Sequence, residues 1–173
     1  NVNPETGEGE IVAKGPNVMM GYYKDAERTA KVFNSDGWFK TNDLAVLDAK
    51  GNYSIRGRLS NMILGSSGEN IYPEEIEQVI NNIDVVDESI VLSRGNKLVA
   101  LVTFNEDVLD WDHSGEAEFL KKVEECKSNI LSIVNGKVNR SSRLSAVQVL
   151  QEPFEKTATR KIRRFKYVNV EGI

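Results

Sequence analysis

Two residue types that enzymes often draw on for chemistry are nearly missing: the chain of 173 residues has one cysteine, Cys126, and one histidine, His113. A lone cysteine excludes an internal disulfide framework and a thiolate cluster for zinc, and it fits a reducing compartment such as the cytoplasm. A lone histidine, in the polar stretch Asp110-Trp111-Asp112-His113-Ser114, excludes a multi-histidine metal site and offers no Ser-His pair; it reads as a surface residue. No apolar run approaches the ~20 residues of a membrane span, and no signal-peptide pattern opens the chain. Positive charge is not in excess either. With 22 Lys and Arg against 26 Asp and Glu, the net charge is -4, the opposite of the basic face that a nucleic-acid binder needs. Neither a Walker-type loop nor a dinucleotide fingerprint occurs. Carboxylates are plentiful, but nearly all fall on predicted helix faces or turns, where solvation accounts for them.

What is there is the composition of a protein with a real core, 40% hydrophobic and 28% charged. Residues 10–15 read as a strand, and Asp25 as the N-cap of a short helix over 26–33. Strands over 44–48 and 53–57, with Gly51-Asn52 at the bend, give the clearest hairpin signal. From Pro73 the pattern changes. A proline at a helix start, followed by Glu74, Glu75 and Glu77 near the positive end of the helix dipole, opens a helix over 73–83 with Ile76, Val79, Ile80 and Ile83 as its buried stripe. Strands over 89–93 and 97–104 follow, joined through Arg94-Gly95-Asn96. A long helix covers 116 to about 135, with Phe119, Leu120, Val123, Ile130, Leu131 and Val134 at helical spacing. A last strand over 144–150 precedes a basic tail. These elements predict an α+β fold in two units with a joint near 58–60. The second unit is a small sheet flanked by helices, and the first is strand-rich.

Three segments in order carry further information: Gly37-Trp38-Phe39-Lys40-Thr41-Asn42-Asp43-Leu44; then Gly57-Arg58-Leu59-Ser60-Asn61-Met62-Ile63 running to Gly68-Glu69-Asn70-Ile71-Tyr72-Pro73-Glu74-Glu75-Ile76-Glu77; then Lys156-Thr157-Ala158-Thr159-Arg160-Lys161-Ile162-Arg163-Arg164. Together with Gly9-Glu10-Ile11-Val12 and Gly21-Tyr22-Tyr23, they resemble the late motifs of the adenylate-forming (AMP-binding) superfamily. The wording around Gly68-Glu69-Asn70 and the Lys-Thr-Ala-Thr-Arg-Lys ending look most like long-chain fatty-acid CoA ligases. The resemblance implies that residues 1–58 are the β-rich, incomplete C-terminal end of a large domain. It implies that residues 59–173 form a small mobile C-terminal lid domain, with the rest of the large domain missing upstream. The first residue, Asn1, fits an excised segment.

The same resemblance assigns roles. Asp43 would accept hydrogen bonds from the ribose hydroxyls of the adenylate; a strand-entry aspartate capping a turn is the bland alternative. Asn42 stands where relatives usually carry glycine, and asparagine tolerates the left-handed conformation such a place requires. Arg58 would grip ribose and phosphate oxygens with its fork, unless it is a surface arginine ending a strand. Ser60 falls at the hinge, where aspartate or lysine is more usual. The loop 65–70, with Gly68 and Glu69, would close the coenzyme A pantetheine channel; a phosphate cradle at the start of the next helix or a plain connector are the alternatives. Lys161 would be the catalytic lysine of adenylation, with Arg160 where relatives often have glycine. A solvated basic tail of Lys156, Arg160, Lys161, Arg163, Arg164 and Lys166, able to meet a polyanion or an anionic membrane surface, is the rival.

The implied reaction takes a fatty acid, ATP and coenzyme A, with magnesium screening the phosphates, through an acyl-adenylate to a thioester. This chain alone is expected to be inactive, because the phosphate loop, adenine pocket and acyl tunnel lie upstream. An enzyme loading an acyl carrier protein and a non-enzymatic module that kept the fold are the alternatives. Peripheral membrane association stays open at this point.

Overall fold

The computed structural model describes residues 2–4, 6–105 and 116–168; His113 and its polar stretch lie outside them. The chain divides into two units, Asn1–Met62 and Ile63–Ile173.

The first unit is built on a three-stranded antiparallel sheet of β1 (Glu8–Ala13), β2 (Phe39–Leu47) and β3 (Tyr53–Arg58), in that order, with α1 (Ala26–Val32) between the first two strands. The Asp25 carboxylate accepts the Arg28 N–H at 2.9 Å and so caps α1 as its sequence predicts. In the β2–β3 turn Gly51 takes φ +86°, while the Asp48 carboxylate accepts the amides of Lys50 and Asn52 at 2.8 and 2.9 Å. The hairpin is therefore fixed by local chemistry, and its register follows. The core here is thin. Leu44 and Ala45 are buried, but Met20, Tyr23, Leu47, Tyr53 and Ile55 are all half exposed or more.

The second unit holds the main core. A short hairpin of β4 (Ile63–Leu64) and β5 (Asn70–Ile71) leads into α2 (Pro73–Asn81). Then come β6 (Val86–Arg94), β7 (Lys97–Phe104), α3 (Glu116–Lys137) and β8 (Leu144–Val149). The sheet order is β6-β7-β8, antiparallel across the first pair and parallel across the second, with α3 as the crossover that a parallel pair requires. Along β7 the side chains alternate between two cores. Leu98, Ala100 and Val102 face Ile76, Ile80, Ile130 and Val134 of the helices, and Val99 and Leu101 face Phe154, with Ile162 and Tyr167 packed alongside. Burial on both faces explains why this strand reads as a continuous apolar run.

Three expectations need correction. Leu120 sits within the apolar spacing of α3 but is 56% exposed, so the helix packs along a stripe centred on Ile130 and Val134. Glu77 is not a solvated helix carboxylate, being only 6% exposed. The segment after β8 is more than a basic tail, because Phe154, Ile162 and Tyr167 seal the second face of the sheet.

Candidate functional site

In the first unit the antiparallel register sets Asp43 on β2 directly opposite Arg58 on β3, and Arg58 Nε lies 2.8 Å from Asp43 Oδ1. Thr41 organises the approach. Its hydroxyl donates to the Ile11 carbonyl at 2.8 Å and accepts the Asp43 amide at 3.1 Å. Asn42 between them takes φ +64°, the left-handed conformation foreseen for it and one that asparagine adopts at low cost. Its amide N–H donates to Glu10 Oε1 at 2.9 Å, its carbonyl accepts the Leu59 N–H at 2.9 Å, and its side-chain amide donates to the Ser60 hydroxyl at 2.8 Å. Two of the three positions that the resemblance marks as departures, Asn42 and Ser60, are thus hydrogen-bonded to each other. Asp43 does not cap a turn; its carboxylate is committed to the arginine across the sheet.

In the second unit, residues 65–69 form the turn of the β4–β5 hairpin. The Gly65 N–H donates to the Glu69 carbonyl at 2.8 Å, and the Gly68 N–H to the Gly65 carbonyl at 3.0 Å. Gly68 takes φ +85°. The Glu69 side chain folds back over Gly65, where a Cβ would meet its carboxylate oxygen at 2.4 Å, and it accepts the Ser67 N–H at 3.1 Å. The segment is a hydrogen-bonded turn. It walls a cleft of about 820 Å³ that also carries Lys97, Arg140 and Arg143. The sequence reading missed these three cations; the available signal was the polar run Asn139-Arg140-Ser141-Ser142-Arg143 directly before β8.

Lys161 sits at the shoulder of a second tight hairpin. Lys156 and Ile162 are bridged across it, the Thr157 N–H donates to the Lys161 carbonyl at 2.8 Å, and the Arg160 N–H to the Thr157 carbonyl at 2.9 Å. Arg160 takes φ +60°, a left-handed conformation that glycine adopts without steric cost. The cations around Lys161 are mostly spoken for. Lys156 pairs with Glu88 at 2.7 Å, Arg163 with Glu155 at 3.3 Å, Lys166 with the same Glu155, and Arg164 with Glu77. Among the described residues, Lys161 is exposed and its ammonium has no hydrogen bond or ion pair. Four of the six cations of this segment are thus ion-paired, which lowers the positive charge it presents. No helix of the described residues is long and apolar enough to cross a membrane.

Glu77 is the residue that sequence reasoning placed wrongly. Pro73, Ile76, Glu77 and Ile80 occupy one buried helical register, so a charge inside that spacing was the signal. Its Oε1 accepts the Val91 N–H at 2.6 Å on the free edge of β6, and its Oε2 accepts Arg164 Nη2. Burial pushes the Glu77 carboxyl above the usual range, against the pull of Arg164 and the Val91 amide. Cys126, partly buried on α3, has its thiol pushed up by burial, which argues against a reactive nucleophile. Among the described residues no three His, Cys, Asp or Glu side chains converge to hold a metal.

Residues 60–169 match the family described as the AMP-binding enzyme C-terminal domain, and the chain belongs to that family of adenylate-forming enzymes. Among its relatives, 2-succinylbenzoate–CoA ligase of Listeria innocua is 35% identical over 164 residues, covering 92% of this chain and 31% of the relative. The o-succinylbenzoate CoA synthetase of Bacillus subtilis, solved in complex with its acyl-adenylate intermediate, superposes with a TM-score of 0.67 at 27% identity, over 94% of this chain and 31% of that one. A fatty acyl CoA synthetase of Mycobacterium tuberculosis gives a TM-score of 0.52 at 28% identity, over 94% and 30%. The chain thus spans under a third of the length of these relatives.

Proposed function

We propose that this chain is the C-terminal part of an ATP-dependent acyl-CoA ligase whose acid is a long-chain fatty acid. The observation that carries the reading is Lys161: an exposed ammonium, unpartnered among the described residues, on a hydrogen-bonded hairpin flanked by four ion-paired cations, Lys156, Arg163, Arg164 and Lys166. The motif wording around Gly68 and Lys161 supports the long-chain reading, and the likeness to a fatty acyl CoA synthetase supports a fatty acid as the substrate.

In the first step a carboxylate oxygen of the acid attacks the α-phosphorus of ATP, the bond to pyrophosphate breaks, and an acyl-adenylate forms. Negative charge grows on the α-phosphate oxygens, and an ammonium with three donors stabilises it. That is the role of Lys161. Asp43 accepts the ribose hydroxyls, and Arg58, held beside it, steadies that carboxylate and faces the nucleotide. Magnesium, when bound, screens the triphosphate. In the second step the coenzyme A sulfur attacks the acyl carbon, AMP leaves with its electron pair, and the thiol proton passes to solvent. The turn 65–69 lines the thiol's approach, and Lys97, Arg140 and Arg143 suit the phosphates that coenzyme A carries. The thin core of the first unit, with Tyr53 and Ile55 about 70% exposed, supports a large domain upstream to cover it.

The test is Lys161→Ala in the full-length parent. Acyl-dependent ATP–pyrophosphate exchange is expected to fall by at least about 100-fold, while thioester formation from preformed acyl-adenylate stays within about threefold. Equal losses in both half-reactions would point to a structural lysine. The chain alone is expected to show no exchange.

A further inference from the structure

The hairpin that carries Lys161 is solvent-exposed throughout residues 157–161, so something outside it must fix its direction. Four ion pairs surround its base. Three of them, Lys156–Glu88, Arg163–Glu155 and Lys166–Glu155, have both partners at least a quarter exposed, and exposed pairs hold a geometry weakly. The fourth differs in kind. The side chains of Arg164 and Glu77 are 22% and 8% exposed, and the carboxylate also takes the Val91 N–H from the edge of β6 at 2.6 Å. Glu77 therefore ties three things at one point: helix α2, the free edge of the sheet, and the backbone three residues beyond Lys161. From there the tie runs into the hairpin through the Arg163 N–H, which donates to the Glu155 carbonyl at 2.9 Å, and through Ile162, packed on the second core.

We propose that Glu77 is a positioning residue for Lys161, acting through Arg164 to set the direction in which the ammonium is presented. This rests on the reading of Lys161 given above. The lysine side chain is a long lever, so a small rotation at Arg164 displaces the ammonium by about an ångström, enough to cost up to about 100-fold in a step that depends on near-attack geometry. A carboxylate is needed rather than an apolar residue. An aliphatic side chain here would leave the Arg164 guanidinium and the Val91 amide without their acceptor. Glutamine keeps the shape and the acceptor for Val91 but loses the charge that holds Arg164. The substitution Glu77→Gln therefore separates the anchor from the packing.

Two measurements decide it. In this chain, amide hydrogen exchange at Thr157, Arg160 and Lys161 is expected to quicken by at least about tenfold in Glu77→Gln, with Leu101 and Val102 in the sheet unchanged within about twofold. In the full-length parent the same variant is expected to lower kcat for adenylation by at least about tenfold, with KM for ATP and acid, and the rate of thioester formation from preformed acyl-adenylate, within about twofold. Hairpin exchange that does not change overturns the proposal, and so does a parallel fall in both half-reactions accompanied by faster exchange in the sheet. Lys161→Ala, run alongside, separates the two layers. If it leaves adenylation intact, the reading of Lys161 fails and this proposal with it; if it abolishes adenylation while Glu77→Gln does not, this proposal alone fails. Should Glu77→Gln not fold, Arg164→Lys keeps the charge, loses the fork, and carries the same readouts in the same direction.

Discussion

Arg58 Nε and Asp43 Oδ1 meet at 2.8 Å across adjacent antiparallel strands, each the other's register partner. Both side chains are a third or more exposed, so the pair adds less than about 1 kcal/mol to folding. Asp43→Asn is accordingly expected to move the urea midpoint of this chain little. In the full-length parent it should raise KM for ATP by at least about tenfold, since a ribose acceptor is lost. A variant that unfolds the first unit while leaving KM unchanged would make the pair structural.

Two of the four left-handed non-glycine residues among those described, Arg160 and Asn42, answer differently to glycine. Arg160 gains nothing visible from φ +60°, and the strain it relieves exceeds the backbone entropy that glycine adds, so Arg160→Gly should stabilise the chain by about 0.5 kcal/mol. Asn42 adopts φ +64° readily and donates to Ser60 at 2.8 Å. Losing that bond should make Asn42→Gly less stable by about 0.5–1 kcal/mol. Thermal or urea unfolding of the two variants side by side checks the opposite signs.

Gly65 has a steric rather than a conformational reason to be glycine. A methyl group there would sit 2.4 Å from a Glu69 carboxylate oxygen and 2.9 Å from Glu69 Cγ. Gly65→Ala must swing Glu69 away and break its bond to the Ser67 amide, at a cost of about 1 kcal/mol by the worth of one such hydrogen bond. In the parent enzyme it should slow thioester formation by at least about tenfold and leave adenylation unchanged; the reverse pattern would remove this turn from the thiol channel.

Two carboxylates respond to pH in opposite senses. Burial raises Glu77 above the ordinary glutamate value of 4.5, so the stability it contributes is fully present below that value and is lost as pH rises through its folded value. Hydrogen bonding from Lys166, with the charges of Lys166 and Arg163, holds Glu155 below 4.5. Its contribution is present above that value and lost as pH falls through the folded one. Melting curves should therefore show Glu77→Gln gaining on the wild type as pH rises from about 4 to neutrality. Lys166→Gln should be at its greatest disadvantage near neutrality and lose that disadvantage on acidification.

The sequence by itself determined most of the elements, because their causes are local. Asp25 caps its helix, Gly51 bends its hairpin, Pro73 starts α2, and the continuous apolar run of β7 marks a strand buried on both faces. It also marked Asp43, Arg58 and Lys161 as residues worth weighing, through motifs whose spacing is visible along the chain. What only the tertiary structure decided is which distant groups meet. Residues Asp43 and Arg58 are partners because of a strand register with a bulge beside it. The departures Asn42 and Ser60 turn out to contact each other. Glu77 meets Arg164 across 87 positions of sequence, and nothing local to either residue announces a partner. Charge pairing over such separations is a property of packing, which is why one carboxylate in an acidic helix start proves buried and why Lys161 is left as the tail's unpaired lysine among the described residues.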